Sequence, residues 1–416
     1  MLKRMIFFVG VAMRRLHPEM DTIGTFLGPR AIPSKVWQNE ELFFRGDAYF
    51  SELERGLDRA KTSIDFETYI FEDDVLGKKI CAALQRASMR GVAVRLLVDG
   101  VGASNWIQTA SRSLLESMVE VRVFHPLPWL LLPHAFWNIS VLAKAYGFLV
   151  KANRRNHRKV CLIDHAHAFV GSLNVSSCHI ESYAQSESWR DTGAHVVGDT
   201  VKEFERAFEI AWTESWRITQ DWLRPPALFR KRPSVVGSGL VRLNHTRTLR
   251  KAGYNRLLDL LLRARKRIWI TNAYFVPPGS LLRTLAACAQ QGTDVRILVP
   301  AKSDVFFMPW VAAAFYYALL KAGVRLYEYL PRVLHAKTIL LDQLAFVGSS
   351  NLNQRSYKHD LEADVVLRFE HSLQNLEDAF LADLTFAREI TIKEWQDKPW
   401  WQKLLGRIAL LLRYWL

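Results

Sequence analysis

The chain has 416 residues, a formal net charge of +15 and a hydrophobic share of one half. That length holds two or three average domains or one large duplicated one, and that apolar share can fill a sizeable core. The charge calls for an anionic partner, while 14 Trp, 23 Phe and 12 Tyr suit a lipid interface and single-stranded nucleic acid alike. Four cysteines without a CxxC pair and 12 histidines without an HExxH argue against zinc, and the cysteines are read as buried free thiols of a reducing compartment.

In chain order, Met5 to Met13 is an apolar stretch flanked by Lys3, Arg4, Arg14 and Arg15. It is too short to span a bilayer, and no small-residue cleavage site of a signal peptide follows it. Residues 1–38 are therefore read as a basic and apolar leading segment. A strand follows in AKTSIDFETYIF, then a helix in CAALQRASM, a strand in RGVAVRLLVD and another in VEVRVFHP. Leu127 to Val150 carries Lys144 as its lone full charge, but Pro128, Pro133 and Asn138 oppose a span, so it reads as a re-entrant or interfacial insertion. Next comes NHRKVCLIDHAHAFVGSLN, two strands of a hairpin with His157 and Lys159 on one strand face and Gly-Ser-x-Asn opening a helix. His165 and His167 sit at its turn and read as solvated.

The same order then repeats. ARKRIWITNAYF matches the first strand, with Tyr274 opposite Tyr69; LLRTLAACAQ, QGTDVRILVP and AGVRLYEYLP follow, and LHAKTILLDQLAFVGSSN closes the copy. The tyrosines read equally as core aromatics or site residues. Residues 305–320 read as a buried helix. The copies differ mainly at the insertion: 88 residues separate Tyr69 from His157, but 61 separate Tyr274 from His335. Short β-branched runs alternating with amphipathic helices give an α/β fold of two duplicated halves, each a mixed sheet flanked by helices, related by a pseudo-two-fold axis around one shared site. The halves are placed at 39–221 and 240–395, with a Pro, Gly and charge-rich linker at 222–239. Residues 396–416 read as an amphipathic interfacial helix, with docking of its Leu face on the fold as the competing reading.

The doubled His-x-Lys points to phosphodiester chemistry. One imidazole attacks phosphorus, and a second, protonated, serves the leaving alkoxide and later the incoming alcohol. Two lysines neutralise the phosphate oxygens, so the reading calls for no metal and no cofactor. The catalytic set is His157, Lys159, Asp164, His335, Lys337 and Asp342, although each aspartate, at a strand end, also fits a hairpin turn. Ser172, Asn174, Ser349 and Asn351 are candidate phosphate donors. Asp191 and Glu362, each at a strand start, are candidate partners for the second nitrogen of the imidazoles.

His-x-Lys-x4-Asp-x6-Gly-Ser-x-Asn resembles the signature of the phospholipase D superfamily. The first copy fits without a gap, and the second is one residue short between Asp342 and Gly348. ETYIFEDDVLGKKI, SWRDTGAHVVGDTV, TNAYFVPP, GSSNLNQRS and KPWW narrow the resemblance to bacterial cardiolipin synthases, the shorter B-like branch, over roughly residues 40 to 403. The resemblance implies transfer of a phosphatidyl group from phosphatidylglycerol to a glycerol-type hydroxyl, with His157 as nucleophile and His335 as acid and base. The net charge and the interfacial segments place the chain peripherally on the cytoplasmic membrane face, with anionic phospholipid as partner and no nucleic acid expected. A hydrolase of the same superfamily and a non-catalytic membrane-binding protein are the alternatives.

Overall fold

A computed structural model describes residues 36–126 apart from 112, 113 and 115, then 154–218, 223–224 and 238–409. Most of the leading segment, the 127–150 insertion, most of the 222–239 linker and the chain beyond residue 409 lie outside the described residues.

The first half runs β1 (Asn39–Phe43), α1 (Gly46–Arg59), β2 (Ser63–Thr68), α2 (Val75–Met89), β3 (Ala93–Asp99), α3 (Ser104–Thr109) and β4 (Glu120–Phe124). It continues with β5 (Val160–Ile163), β6 (His167–Gly171), β7 (Gly193–Val197), α4 (Val201–Thr213), β8 (Trp216–Ile218) and β9 (Leu223–Arg224). The second half runs β10 (Val241–Leu243), α5 (Arg247–Arg263), β11 (Arg267–Asn272), α6 (Gly279–Gln290), β12 (Asp294–Pro300), α7 (Met308–Lys321) and β13 (Arg325–Tyr329). It closes with β14 (Lys337–Leu340), β15 (Ala345–Gly348), α8 (Gln354–Lys358), β16 (Ala363–Leu367), α9 (Glu370–Thr385), β17 (Ala387–Ile390), α10 (Ile392–Asp397) and α11 (Trp400–Ala409).

The two sheets repeat one topology. Their strand orders are β1-β7-β6-β5-β2-β3-β4-β8-β9 and β10-β16-β15-β14-β11-β12-β13-β17, the second lacking a counterpart of β9 among the described residues. In each, three strands are parallel (β2-β3-β4 and β11-β12-β13) and the rest pair antiparallel. Parallel strands need a crossover, and α2 and α6 supply it. Asp74 caps α2 by accepting from the Gly77 N–H at 2.9 Å, and Gly91 and Gly292 end the two crossovers at φ +88° and +93°, a region that favours glycine. β1 and β10 are edge strands that the sequence patterning did not isolate.

One apolar layer joins the halves. Val160, Leu162, Ala168, Phe204 and Phe208 of the first pack with Trp269, Leu340, Val347, Val365 and Phe380 of the second. Separate cores lie on the opposite faces, around Leu53, Leu84 and Trp106 in one half and Leu261, Leu285 and Tyr316 in the other. Full burial of each Val, Leu or Phe among them contributes about 1.5–3 kcal/mol. Polar ties cross as well: the Trp37 indole donates to the Val366 carbonyl at 3.0 Å, and buried Glu40 accepts from the backbone N–H groups of Arg368 and Phe369.

Residues 305–320 are buried along one side, at Met308, Val311, Ala312, Tyr316 and Leu319, but Phe306 and Tyr317 are exposed. One departure from the sequence reading bears on the site. Gly-Ser-x-Asn does not open a helix in either copy: the next helical turns begin at Ser177 and Gln354, so no helix N-terminus stands behind the motif.

Candidate active site

Backbone bridges between the halves build the site. Asn156 pairs with Leu361 and Arg190 pairs with Leu334, both parallel. The Leu361 N–H donates to the Arg155 carbonyl at 2.8 Å and the His157 N–H to the Leu361 carbonyl at 3.0 Å. Across the pseudo-two-fold, the Arg190 N–H donates to Val333 and the His335 N–H to Arg190, both at 2.8 Å. Each His-x-Lys entrance is thus zipped to the segment carrying the other half's acid. Buried Asp99 fixes the first entrance from below by accepting from the Asn156 N–H at 2.9 Å.

The acids therefore cross over. Glu362, of the second half, lies 3.1 Å from Nδ1 of His157, and Asp191, of the first half, lies 2.8 Å from Nδ1 of His335. A carboxylate on Nδ1 sets the tautomer and turns Nε2 to the site. The sequence reading named both acids, but not that each serves the opposite histidine.

Charge is concentrated and dry here. Burial, then the charges of Lys159 and Lys337, hold His157 well below the usual imidazole range. Burial and Lys337 push His335 down to about 4 against the pull of Asp191. Burial lowers Lys159 to about 7 and Lys337 to about 8. Each ammonium donates to the carbonyl of its own motif histidine, Lys159 to His157 at 2.7 Å and Lys337 to His335. Burial lifts Glu362 to about 7. Asp191, equally buried, stays well below the usual carboxylate range because His335 and His179 outweigh burial. Two buried lysines beside two imidazoles can hold an anion, and a bound phosphate diester would offset the lysine charges and raise the affinity of either ring for a proton.

The tyrosines border the pair. The Tyr69 ring meets His157 edge-on at 5.0 Å with the Lys159 ammonium 5.2 Å from its centroid, and Tyr274 stands 6.3 Å from His335. Trp189 lies 5.2 Å from His335.

Several named residues face elsewhere. Asp164 and Asp342 do not reach the histidines. Asp164 sits at the far end of β5, at φ +51°, and accepts from the N–H groups of Lys61, Thr62 and Ser63 at 2.7–3.1 Å. Asp342 does the same for Arg265, Lys266 and Arg267 at 2.8–3.1 Å. The turn role excludes the catalytic one, because an extended strand carries these carboxylates from the lysine end of the hairpin to its opposite end. Buried Ser172 binds the Thr192 backbone at 3.1 and 3.2 Å, and Ser349 donates to Glu362 at 2.5 Å. Asn174 accepts from the Ile70 N–H at 3.2 Å, whereas buried Asn351 Oδ1 has no hydrogen-bond partner among the described residues. His165 is exposed, whereas His167 is partly buried with Nδ1 3.1 Å from Nε2 of His195. The sequence reading missed His179, whose Nδ1 is 2.7 Å from Asp191, and Ser356, which donates to Glu362 at 2.7 Å. The signal was present: each stands seven residues after the serine of its Gly-Ser-x-Asn.

Paired His-x-Lys motifs with crossed carboxylates on a duplicated α/β scaffold define a phosphodiester-handling site of the phospholipase D type. Comparison with known proteins narrows the class. The family described as cardiolipin synthase, PLD-like domain, matches residues 53–212 and 257–384. A cardiolipin synthase of Clostridium perfringens is 29% identical over 370 residues, covering 86% of this chain and 73% of that one. One from Alkalihalophilus pseudofirmus is 30% identical over 373 residues, covering 88% and 70%. Among solved structures, the phosphatidylserine synthase of Haemophilus influenzae superposes with a TM-score of 0.67 at 12% identity, covering 96% of this chain and all of that one, a likeness of fold. The chain belongs to the cardiolipin synthase, PLD-like family and is a phosphatidyltransferase.

Proposed function

We propose that the enzyme moves a phosphatidyl group from phosphatidylglycerol to the glycerol hydroxyl of a second phosphatidylglycerol, forming cardiolipin and releasing glycerol. His157 Nε2 attacks phosphorus, the bond from phosphorus to the glycerol oxygen breaks, and His335 passes a proton to that oxygen. A second phosphatidylglycerol hydroxyl then attacks the phosphohistidine while His335 takes its proton, which restores His157. Lys159 and Lys337 hold the non-bridging oxygens throughout. The observation that carries this reading is the pair of imidazoles whose Nδ1 atoms are each held by the opposite half's carboxylate. The curated relatives named cardiolipin synthase support the choice of donor and product.

The working units of this reading are the halves 39–221 and 240–395 joined by 222–239, acting at a membrane surface to which the enzyme binds peripherally. The net charge of +15 and the exposed Phe306, Trp400 and Leu404 support that placement. Among the described residues, no helix is long and apolar enough to cross a membrane.

Lipid mass spectrometry of purified protein incubated with phosphatidylglycerol, with and without added glycerol, tests the reading. Cardiolipin and free glycerol are expected, with added glycerol driving cardiolipin back to phosphatidylglycerol. Phosphatidate as the sole product would make the enzyme a hydrolase instead.

A further inference from the structure

The two halves of the site are not equal, and the difference lies behind the acids. Glu362 is held by two hydroxyls, Ser349 at 2.5 Å and Ser356 at 2.7 Å, besides His157. Asp191 has no such pair. Its Oδ1 faces His335 at 2.8 Å, and its Oδ2 faces Nδ1 of His179 at 2.7 Å. Ser172, the counterpart of Ser349, turns to the Thr192 backbone instead. His179 is 1% exposed, so it is a buried imidazole outside the His-x-Lys motifs with no obvious packing reason to be polar.

The far side of His179 is also fixed. The backbone N–H of Asn174 points at its Nε2 over 3.2 Å. Burial opposes a charge on the ring, whereas Asp191 pulls its proton affinity up, to about 10. The Asn174 N–H decides between them, because it occupies the lone pair that a second proton would take. His179 therefore stands as the Nδ1–H tautomer, donating to Asp191. A directed chain results: Asn174 N–H to His179, His179 Nδ1–H to Asp191, and His335 Nδ1–H to the other oxygen of Asp191. Trp189 walls both rings, at 5.3 Å from His179 and 5.2 Å from His335, and its backbone N–H donates to the Cys178 carbonyl at 2.8 Å beside His179.

We propose that His179 is a positioning residue that acts through Asp191: it pins the carboxylate so that His335 is oriented for proton transfer, and so makes His335 the acid and base while His157 is the nucleophile. The inference rests on the phosphatidyl-transfer reading and deepens it. A carboxylate with one oxygen anchored cannot swing away when His335 gives up its proton to the leaving alkoxide, and it returns the ring to the same place for the incoming alcohol. Glu362, with two hydroxyl anchors, holds a ring that forms and breaks a bond to phosphorus and need not shuttle a proton.

The test compares two donors on the same preparation of full-length protein. Phosphatidylglycerol has a leaving alkoxide that must be protonated. The phosphatidyl ester of p-nitrophenol has a stable leaving phenolate that needs no proton, so its release burst reports attack by His157 alone. In His179→Ala, kcat on phosphatidylglycerol is expected to fall about 10-fold or more, with KM within about twofold, while the p-nitrophenol burst rate stays within about twofold of wild type. His179→Asn, which keeps an N–H donor near the Nδ1 position, is expected to recover most of the lost rate. The ratio of the two rates cancels the amount of folded protein, and thermal midpoints are measured alongside. If His179→Ala does not fold, His179→Asn and His179→Ser are compared by the same ratio, with the larger loss on phosphatidylglycerol expected for Ser. Equal losses on both donors, or no loss on phosphatidylglycerol, would overturn the inference. A wild-type enzyme inert on both donors would overturn the phosphatidyl-transfer reading and this inference with it, whereas an active wild type without donor selectivity in the variants overturns this inference alone.

Discussion

His157 and His335 are chemically alike in sequence, yet each is oriented by a carboxylate of the other half. Replacing either by Ala is expected to lower phosphatidyl transfer by at least about 10²-fold with the thermal midpoint little changed; normal turnover by either variant would refute the two-half site. The lysines set a pH dependence. Burial puts Lys159 near 7 and Lys337 near 8, so both lose charge as pH rises through that window. An anionic diester must then bring the proton back, and KM for phosphatidylglycerol should climb between pH 7 and 9, by up to about tenfold per unit for each proton taken up. A flat KM over that range would show that the lysines stay charged without substrate. Asp164 makes the opposite case. Burial raises it, but the N–H groups of Thr62, Lys61 and Ser63 outweigh burial and hold it below the usual carboxylate range. Its contribution to stability is therefore present above about pH 4 and lost as pH falls through its folded value. Asp164→Ala should cost about 1–3 kcal/mol in urea unfolding while leaving kcat within about twofold; a large loss of kcat would return the aspartate to the chemistry. At this scale residue type and spacing made legible the two His-x-Lys motifs that the fold brings together. They could not separate Asp164 from Asp191, because a one-dimensional motif does not say which end of a strand faces the site. His179 went unread although it stands at the same offset from its Gly-Ser-x-Asn as Ser356, because its partner Asp191 lies twelve residues on and only the fold joins them.

At the scale of elements, alternating apolar runs and glycine-ended helices revealed most strands of both sheets, and the repeat aligned them. The edge strands β1 and β10 were not legible, since they are short and their pairing to β7 and β16 comes from across the chain. The terminal helix was read as interfacial, with docking as its rival, and the structure has features of both. α11 packs along α7, with Trp401 edge-on to Trp310 at 5.6 Å, and Trp310 in turn meets Phe306 at 5.9 Å. Trp400, Leu404 and Phe306 remain 73%, 47% and 74% exposed. Packing α11 on α7 therefore assembles one aromatic stripe from two elements rather than hiding it. Changing Phe306, Trp400 and Leu404 together to Ser should weaken co-sedimentation with phosphatidylglycerol vesicles by about 10-fold or more. The thermal midpoint and turnover on detergent-dispersed lipid should hold, because these side chains contribute little to the fold. Undiminished vesicle binding would place the membrane contact elsewhere.

Over the whole molecule, the duplication ties the two halves to each other. The inner faces of both sheets share one apolar layer, the Trp37 and Glu40 ties reach from the first half to the end of β16, and the crossed acids bind each histidine to the opposite copy. Loss of structure in one half would expose the inner face of the other and leave Glu362 or Asp191 buried without its partner imidazole, a cost that neither half could bear alone. The protein should therefore unfold in one transition, with intrinsic fluorescence and far-ultraviolet circular dichroism tracing the same curve despite its length. Glu40→Ala tests the coupling directly. It removes the acceptor of two backbone N–H groups far from the phosphate site, which should cost about 2–3 kcal/mol and lower the single midpoint by about 2–4 °C. If the halves are held in register by such ties, phosphatidyl transfer should fall with the midpoint, since a shift between the halves displaces Glu362 from His157 and Asp191 from His335 at once. Two separated transitions, in either the wild type or the variant, would mean that the halves fold independently and that the crossed carboxylates align the site without coupling the domains that carry it.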